Sequence, residues 1–437
     1  MSPVQTIRAL ARLARPRLVE RPWWRWRYRH GLPPLDPELG RRMLADGDHP
    51  DWLARLERSV AAAFVPGGVP RGPASEAADA ALLSAADRAC AGIAEVLGSG
   101  PVSLGDPIDW HLDFRSGHRW TADWFWRLDH RDLGRPSDVK VPWELARFHE
   151  GLWLGIAYQQ TGEARFAAAF AARLDSWLDA NPPGRGIHWL CPMELAIRAC
   201  NWIHAFTFLA RAPEVGERRW ARMLASLVWH GRVIRGNLEI GRHVGNHYVA
   251  DLVGLYHLGA LFRDSAEGRG WLRFAERGLE CEMQWQVLPD GVHFEQAVSY
   301  HRLVAELLLL VVPVGERLGR PRSAAYLDRL ARMVEFTGRT CARTVARPGR
   351  GWGRRAGAAL HAGTRAGGPP APARPGRRGP AAPGAAASAE PRRRRCALAR
   401  RAGARVRRGG ARGDPRACGV PGGRVLRAAR QRMPHLS

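Results

Sequence analysis

Between residues 142 and 342 apolar residues recur at the helical period of about 3.6 through eight successive segments joined by short connections. The period predicts helices near 142–161, 163–180, 190–211, 216–238, 244–263, 267–287, 295–318 and 322–342. Thr161-Gly162, Asn181-Pro182-Pro183-Gly184 and Pro289-Asp290-Gly291 cut them, because Gly and Pro interrupt the helical hydrogen-bond ladder. Helices joined this closely pack as antiparallel neighbours. The fold class is therefore all-α, with stacked helical hairpins, and an incomplete α/α toroid is the expected closure. A plain helical bundle fits the same period. A toroid sets alternate loops on one face, where a groove can hold an extended polymer.

The flanks read differently. Residues 1–100 form an N-terminal helical extension with pieces at Asp36–Ala45, Asp51–Phe64 and Ser75–Leu97, so the toroid is assigned to 101–345. Its first part, 101–140, reads as irregular; Asp109-Trp110-His111, Trp120, Trp124 and Trp126 suit a segment that wraps a scaffold. Residues 346–437 are a low-complexity tail of Arg, Ala, Gly and Pro without any structural period. Within 351–437, 21 Arg face 2 acidic residues, so most of the net charge of +26 belongs there. A solvated basic arm contacting nucleic acid is one reading of this tail. The favoured reading is a GC-rich gene translated out of frame, since Lys140 is the one Lys of the chain and the composition changes abruptly between Arg343 and Gly353.

Seven cysteines without CxxC or Cys/His zinc spacing read as reduced, mostly buried thiols. The N-terminus joins Arg8, Arg12, Arg15 and Arg17 to Trp23, Trp24 and Trp26 with no apolar core of a signal peptide. This arm reads as an N-terminal extension, with contact to a membrane surface or partner as the alternative. Cytoplasmic location is the expectation and periplasmic location the alternative. No uninterrupted stretch of about 18 apolar residues marks a transmembrane segment.

Candidate chemistry sits at two helix starts, Asn246-His247 and Ser299-Tyr300-His301. An amide that can hold a carboxylate, an adjacent imidazole, and a phenol able to take and return a proton are the groups that β-elimination from a uronic acid requires. Individually, Asn246-His247 reads as a helix cap with a packed imidazole, and Tyr300 as a core aromatic. His293, Glu295, His301 and Arg302 can support the same helix starts. Sugar rings stack on exposed indole faces, which makes Trp120, Trp124, Trp143 and Trp189 candidates among 18 Trp, most of which belong to the core. His188, beside Trp189, either contacts sugar or plugs the helical ring.

An ordered set of motifs supports a resemblance over roughly 100–342. Asp109-Trp110-His111 and Asp138-Val139-Lys140-Val141-Pro142-Trp143-Glu144-Leu145 come first, then Asn181 to Trp189, Glu194-Leu195-Ala196-Ile197-Arg198 and Asn201-Trp202. Gly245-Asn246-His247, Leu288-Pro289-Asp290-Gly291, His293-Phe294-Glu295 and Ser299-Tyr300-His301 follow. This order resembles the heparinase II/III-like polysaccharide lyases. The resemblance implies a helical toroid followed by an antiparallel β-sandwich, with the active site between them. It implies eliminative cleavage of an acidic, uronic-acid-containing polysaccharide: a glycosaminoglycan, an alginate or an exopolysaccharide. Asn246 would neutralise the uronate carboxylate, His247 would assist or act as base, and Tyr300 would protonate the leaving oxygen. Trp189, His188, His301 and Trp124 would bind substrate. No cofactor or metal is expected in the helical domain; the family's sandwich supplies a further His and, in some members, a metal. No alternating strand pattern follows Thr344, so the sandwich is expected to be lost to the tail. The alternatives are a non-catalytic acidic-polysaccharide-binding helical domain, an inverting glycoside hydrolase using carboxylates among Asp113, Asp123, Glu144 and Glu194, and a nucleic-acid binder acting through the tail. Specific nucleic-acid binding is not expected.

Overall fold

The computed structural model describes residues 20–44, 49–64, 75–132, 134–240 and 244–345. The low-complexity tail and the arginines of the N-terminal arm lie outside the described residues.

Four helices precede the main array: α1 (Arg21–Arg27), α2 (Pro37–Met43), α3 (Trp52–Ala63) and α4 (Ser75–Cys90). Two short hairpins follow, pairing β1 (Ile93–Ala94) with β2 (Val102–Ser103) and β3 (Leu112–Asp113) with β4 (His118–Arg119). Then come α5 (Lys140–Leu145), α6 (His149–Thr161), α7 (Ala164–Ala180), α8 (Pro192–Leu209), α9 (Gly216–Gly236), α10 (Asn246–Leu261), α11 (Ala266–Gln286), α12 (Val298–Arg317) and α13 (Ala324–Val345). The helix expected over 142–161 is two helices, because Phe148 takes a left-handed conformation (φ +61°) and turns the chain between α5 and α6. The helix expected to reach Leu97 stops at Cys90, where the backbone pairs as β1 instead.

Sequence punctuation explains the helix ends. α6 closes on Gly162, whose positive φ lets its N–H reach the Tyr158 carbonyl. Asn181 closes α7 by returning its side-chain amide to the Trp177 carbonyl at 2.9 Å. Ser265 caps α11 by accepting from the Gly268 N–H at 3.0 Å.

The helices stack in two rows. α6, α8, α10 and α12 contact one another in that order, while α7 and α9 make one neighbouring pair of the second row and α11 and α13 another. α8 and α10 are apolar around their circumference, and such helices are stable only when covered on every side. α9 and α11 cover α10 from the second row, and α3 packs across α8, α10 and α12. α2 lies on α9 and α4 on α6 and α7, so the segment before residue 100 is part of the same compact unit as the main array. Trp24 of α1 joins it by burying its indole against Trp126 and Tyr28, while Trp23 and Trp26 stay exposed.

α12 has the length and apolarity of a membrane-crossing helix, and half of that stretch is packed inside the fold. Glu306 lies on this helix, and burial raises its carboxyl to about 7 although Arg302 opposes the shift. A carboxyl whose folded value lies above its ordinary 4.5 favours folding when protonated, so stability falls as pH rises from 4.5 through 7. The cost at pH 8 is about 2–3 kcal/mol. Glu306→Gln should raise the thermal midpoint at pH 8 and leave it nearly unchanged at pH 4.5; parallel melts at the two pH values check this.

Candidate active site

His247 is the one residue of α10 that is not buried. It stands at the second position of the helix, its side chain 47% exposed, with Nδ1 2.9 Å from Glu239 Oε1. Burial of the ring disfavours its charged form, but the hydrogen bond and charge of Glu239 outweigh this and hold the imidazole above its ordinary value. Glu239 is itself anchored: its Oε2 accepts from the Met193 N–H at 2.9 Å, and its own N–H donates to Asp251 at 2.7 Å. Cys191, which caps α8, brings Sγ within 3.8 Å of the same imidazole nitrogen.

Asn246 faces the other way. It is buried, and its backbone N–H and side-chain Nδ2 donate to the two oxygens of Glu295 at 3.0 and 2.7 Å. Its Oδ1 is buried without a hydrogen-bond partner. An internal carboxylate therefore occupies the donors that a uronate carboxylate would need.

Glu295 belongs to the connection between α11 and α12, which is tightly held. The connection closes on a bridge between Val287 and His293, and the Phe294 N–H returns to the Gln286 carbonyl at 2.9 Å. Gln286 donates to the Gly245 carbonyl at 3.1 Å, joining the end of α11 to the start of α10. His293 pairs with Gln286 at 3.1 Å, and its N–H donates to His301 Nδ1 at 3.2 Å. His301 then carries its proton on Nε2 and donates it to the Met333 carbonyl of α13 at 3.1 Å. Burial holds His301 below its ordinary value and His293 down at about 4, as expected of neutral structural imidazoles. Tyr300, the chain neighbour of His301, stands outside this network in the first turn of α12. Tyr300 is 42% exposed, and its hydroxyl has no partner among the described residues.

The four residues expected to bind substrate lie elsewhere. His301 is 1% exposed and works as a strut. His188 and Trp189 are wholly buried: His188 Nε2 bonds the Trp110 carbonyl at 2.7 Å, and the Trp189 indole donates to the Asn181 carbonyl. Trp124 is 6% exposed and packs its ring on Gly184. The loop over 181–189 is where the irregular segment docks: Phe125 N–H bonds the Gly184 carbonyl and Gly186 N–H the Asp123 carbonyl. Gly186 has φ +80°, and a Cβ there would fall 2.3 Å from the His111 ring, so both conformation and space demand glycine. Trp120 and Trp143 are buried as well, and their indoles donate to Ser137 and to the Ile187 carbonyl. Trp is the largest apolar side chain, and most of the described Trp residues fill the core, while Trp23, Trp26 and Trp285 stay exposed.

The carboxylates considered for hydrolysis are mostly committed. Asp113 is 1% exposed and accepts from Ser116, Ser137 and the Arg115 and Asp138 N–H groups. Glu144 and Glu194 both pair with Arg147. Two surface concavities lie away from the candidate groups. One, of about 420 Å³, is lined by Asp175, Asp179, Arg218, Arg219 and Arg222. The other, of about 470 Å³, is lined by Glu276, Arg277, Glu280, Cys281, Arg320, Pro321 and Arg322.

Sequence reading missed Cys191 and Glu239. Nothing in their spacing marks them, because Cys191 ends a loop before α8, Glu239 follows α9, and only tertiary contact sets both beside His247.

The chain is thus an array of helical hairpins with Asn-His at one helix start and an exposed Tyr at another. Residues 74–349 match the family model described as the heparinase II/III N-terminus, and the chain belongs to that family. Curated relatives include a heparin-sulfate lyase of Bacteroides stercoris, 21% identical over 223 residues (46% of this chain, 33% of the relative). Another, from Pedobacter heparinus, is 20% identical over 205 residues, 45% of this chain and 30% of the relative. The chain thus spans about a third of the length of these relatives. A crystal structure of the Pedobacter heparinus heparan sulfate lyase superposes with a TM-score of 0.48 at 18% identity, covering 65% of this chain and 42% of that one.

Proposed function

We propose that Asn246, His247 and Tyr300 form the helical half of a site for β-elimination on a uronic-acid-containing polysaccharide of the glycosaminoglycan type. The observation that carries this reading is the pairing of an otherwise buried α10, with its single exposed residue His247, and a partner-free phenol in the first turn of α12, just after the connection whose Glu295 is hydrogen-bonded to the start of α10. The names of the curated relatives support the substrate class.

The hydrogen alpha to the uronate carboxylate leaves as a proton to a base, and its electron pair forms the new double bond. The bond to the leaving O4 breaks, and that oxygen takes a proton. Glu239 accepts from Nδ1–H, which leaves the Nε2 lone pair of His247 as the acceptor on this ring. The Tyr300 hydroxyl, free of internal partners, is the donor to O4. The Asn246 amide stabilises the enolate-like charge once a substrate carboxylate takes the second Nδ2 hydrogen or displaces Glu295. No metal is needed in these roles.

The test follows the absorbance of the conjugated double bond when the chain meets heparan sulfate. Tyr300→Phe is expected to abolish that absorbance while glycan binding stays within about twofold; unchanged turnover would remove Tyr300 from the mechanism. A second reading, favoured by the Glu295 carboxylate already held on the Asn246 amide, is a binding domain that holds acidic glycan without cleaving it. Retention on immobilised glycan with no new absorbance would favour it.

A further inference from the structure

Cys191, Glu239 and His247 come together from three separate elements. Their donor atoms lie within 4.8 Å of one another. Sγ is 3.6 Å from Glu239 Oε1 and 3.8 Å from His247 Nδ1, and Nδ1 is 2.9 Å from Oε1. Around a tetrahedral zinc ion, with bonds of about 2.3 Å to sulfur and about 2.0 Å to nitrogen or oxygen, the corresponding separations are roughly 3.5 Å for the sulfur pairs and roughly 3.3 Å for the third. The two sulfur separations already fit. The third opens by a few tenths of an ångström when a metal replaces the hydrogen of the Nδ1–Oε1 bond.

We propose that Cys191, Glu239 and His247 bind a zinc-class divalent transition metal. Binding a dication at Sγ, Oε1 and Nδ1 releases the thiol proton to solvent, and the neutral imidazole moves its remaining proton to Nε2. The thiolate and carboxylate together neutralise the ion. Thiolate, imidazole and carboxylate form a borderline-soft set that selects zinc or cobalt over calcium and magnesium, which take oxygen ligands. Outer contacts are in place. Met193 N–H holds Oε2, which leaves Oε1 for the ion, and Asp251 anchors the backbone of Glu239. Three protein ligands leave one position of a tetrahedral ion without a protein donor, as in open rather than structural sites. A metal at Nδ1 leaves Nε2 as N–H, so the occupied site would convert His247 from acceptor to donor. That consequence rests on the elimination reading above; the binding itself does not.

Titrating the reduced full-length chain with Co²⁺ tests the proposal without any activity assay. Expected is a sulfur-to-cobalt charge-transfer band in the near ultraviolet that saturates at about one equivalent, is displaced by Zn²⁺ and is unaffected by Ca²⁺. Cys191→Ser should remove the band. Because Cys191 is buried, an intact thermal transition and circular dichroism spectrum must accompany that loss. His247→Ala, at an exposed position, should weaken Co²⁺ binding by about 100-fold or more, beyond the usual cost of losing an outer-shell partner. A band of equal strength in Cys191→Ser, or affinity unchanged in His247→Ala, would assign binding to other cysteines and overturn the site. No charge-transfer band at all would leave the three residues as a hydrogen-bonded triad and overturn it equally. Heparan sulfate cleavage that persists without metal binding separates failure of this site from failure of the elimination reading.

Discussion

Glu194→Ala should destabilise the helical domain by about 3–5 kcal/mol, because it removes one partner from a buried ion pair. Arg147 is fixed by two bonds to Glu194, at 2.7 and 2.8 Å, and by a third to Glu144, with only 10% of the arginine side chain and 4% of the Glu194 side chain exposed. Burial disfavours the guanidinium charge, and Glu194 followed by Glu144 outweighs that effect and keeps it protonated. Without Glu194 the cation stays inside α5 and α8 with less than it needs. A drop in thermal midpoint of roughly 10 °C is expected. The triple variant Glu144→Gln, Arg147→Met and Glu194→Leu should recover most of the loss, since replacing every member of a buried ionic cluster by uncharged groups of similar size is often neutral. If the single variant melts like the parent, the pair is not contributing as its burial implies.

Gly254→Val should prevent folding at 37 °C. α8 and α10 are the most enclosed helices, and they approach so closely that a Cβ on Gly254 would stand 2.5 Å from the Ala196 Cβ and 2.7 Å from its Cα. Backbone at that distance cannot rotate away as a long side chain would, so α10 must separate from α8 along its length. Overpacking alone costs about 1–3 kcal/mol, and forcing apart two backbones in a close-packed core exceeds that range. Soluble yield and circular dichroism check it. A soluble, cooperatively melting Gly254→Val protein would show that the two helices can part without losing the fold.

The proposed site starts from a different part of the same contact. α10 carries Asn246 and His247 at its start, and α3, α8, α9, α11 and α12 pack around that helix. The connection from α11 to α12 delivers Glu295 to Asn246 and leaves Tyr300 in solvent five residues further on. In the proposed site a substrate carboxylate would either share the Asn246 amide with Glu295 through the second Nδ2 hydrogen or displace Glu295 from it.

Much of the array was legible. The 3.6-residue period located α7 to α13 to within a few residues, because helices buried on one or more faces must repeat their apolar positions at that spacing. The period stayed silent on Phe148, whose left-handed turn depends on how α5 meets α6. Gly-Asn-His and Ser-Tyr-His were legible as helix starts with useful chemistry. Their surroundings were not.

The sequence by itself determined an all-α class, the positions of α7 to α13 to within a few residues, and which side chains are chemically able to move a proton. These are local properties, written in apolar spacing, in Gly and Pro, and in side-chain type. Only the tertiary structure decided which groups face solvent. It buried Trp124, His188, Trp189 and His301 in the core or in struts, aimed Asn246 at Glu295, and set Cys191 and Glu239 beside His247. Burial and pairing depend on which surfaces of distant segments meet, and helical periodicity carries no information about that.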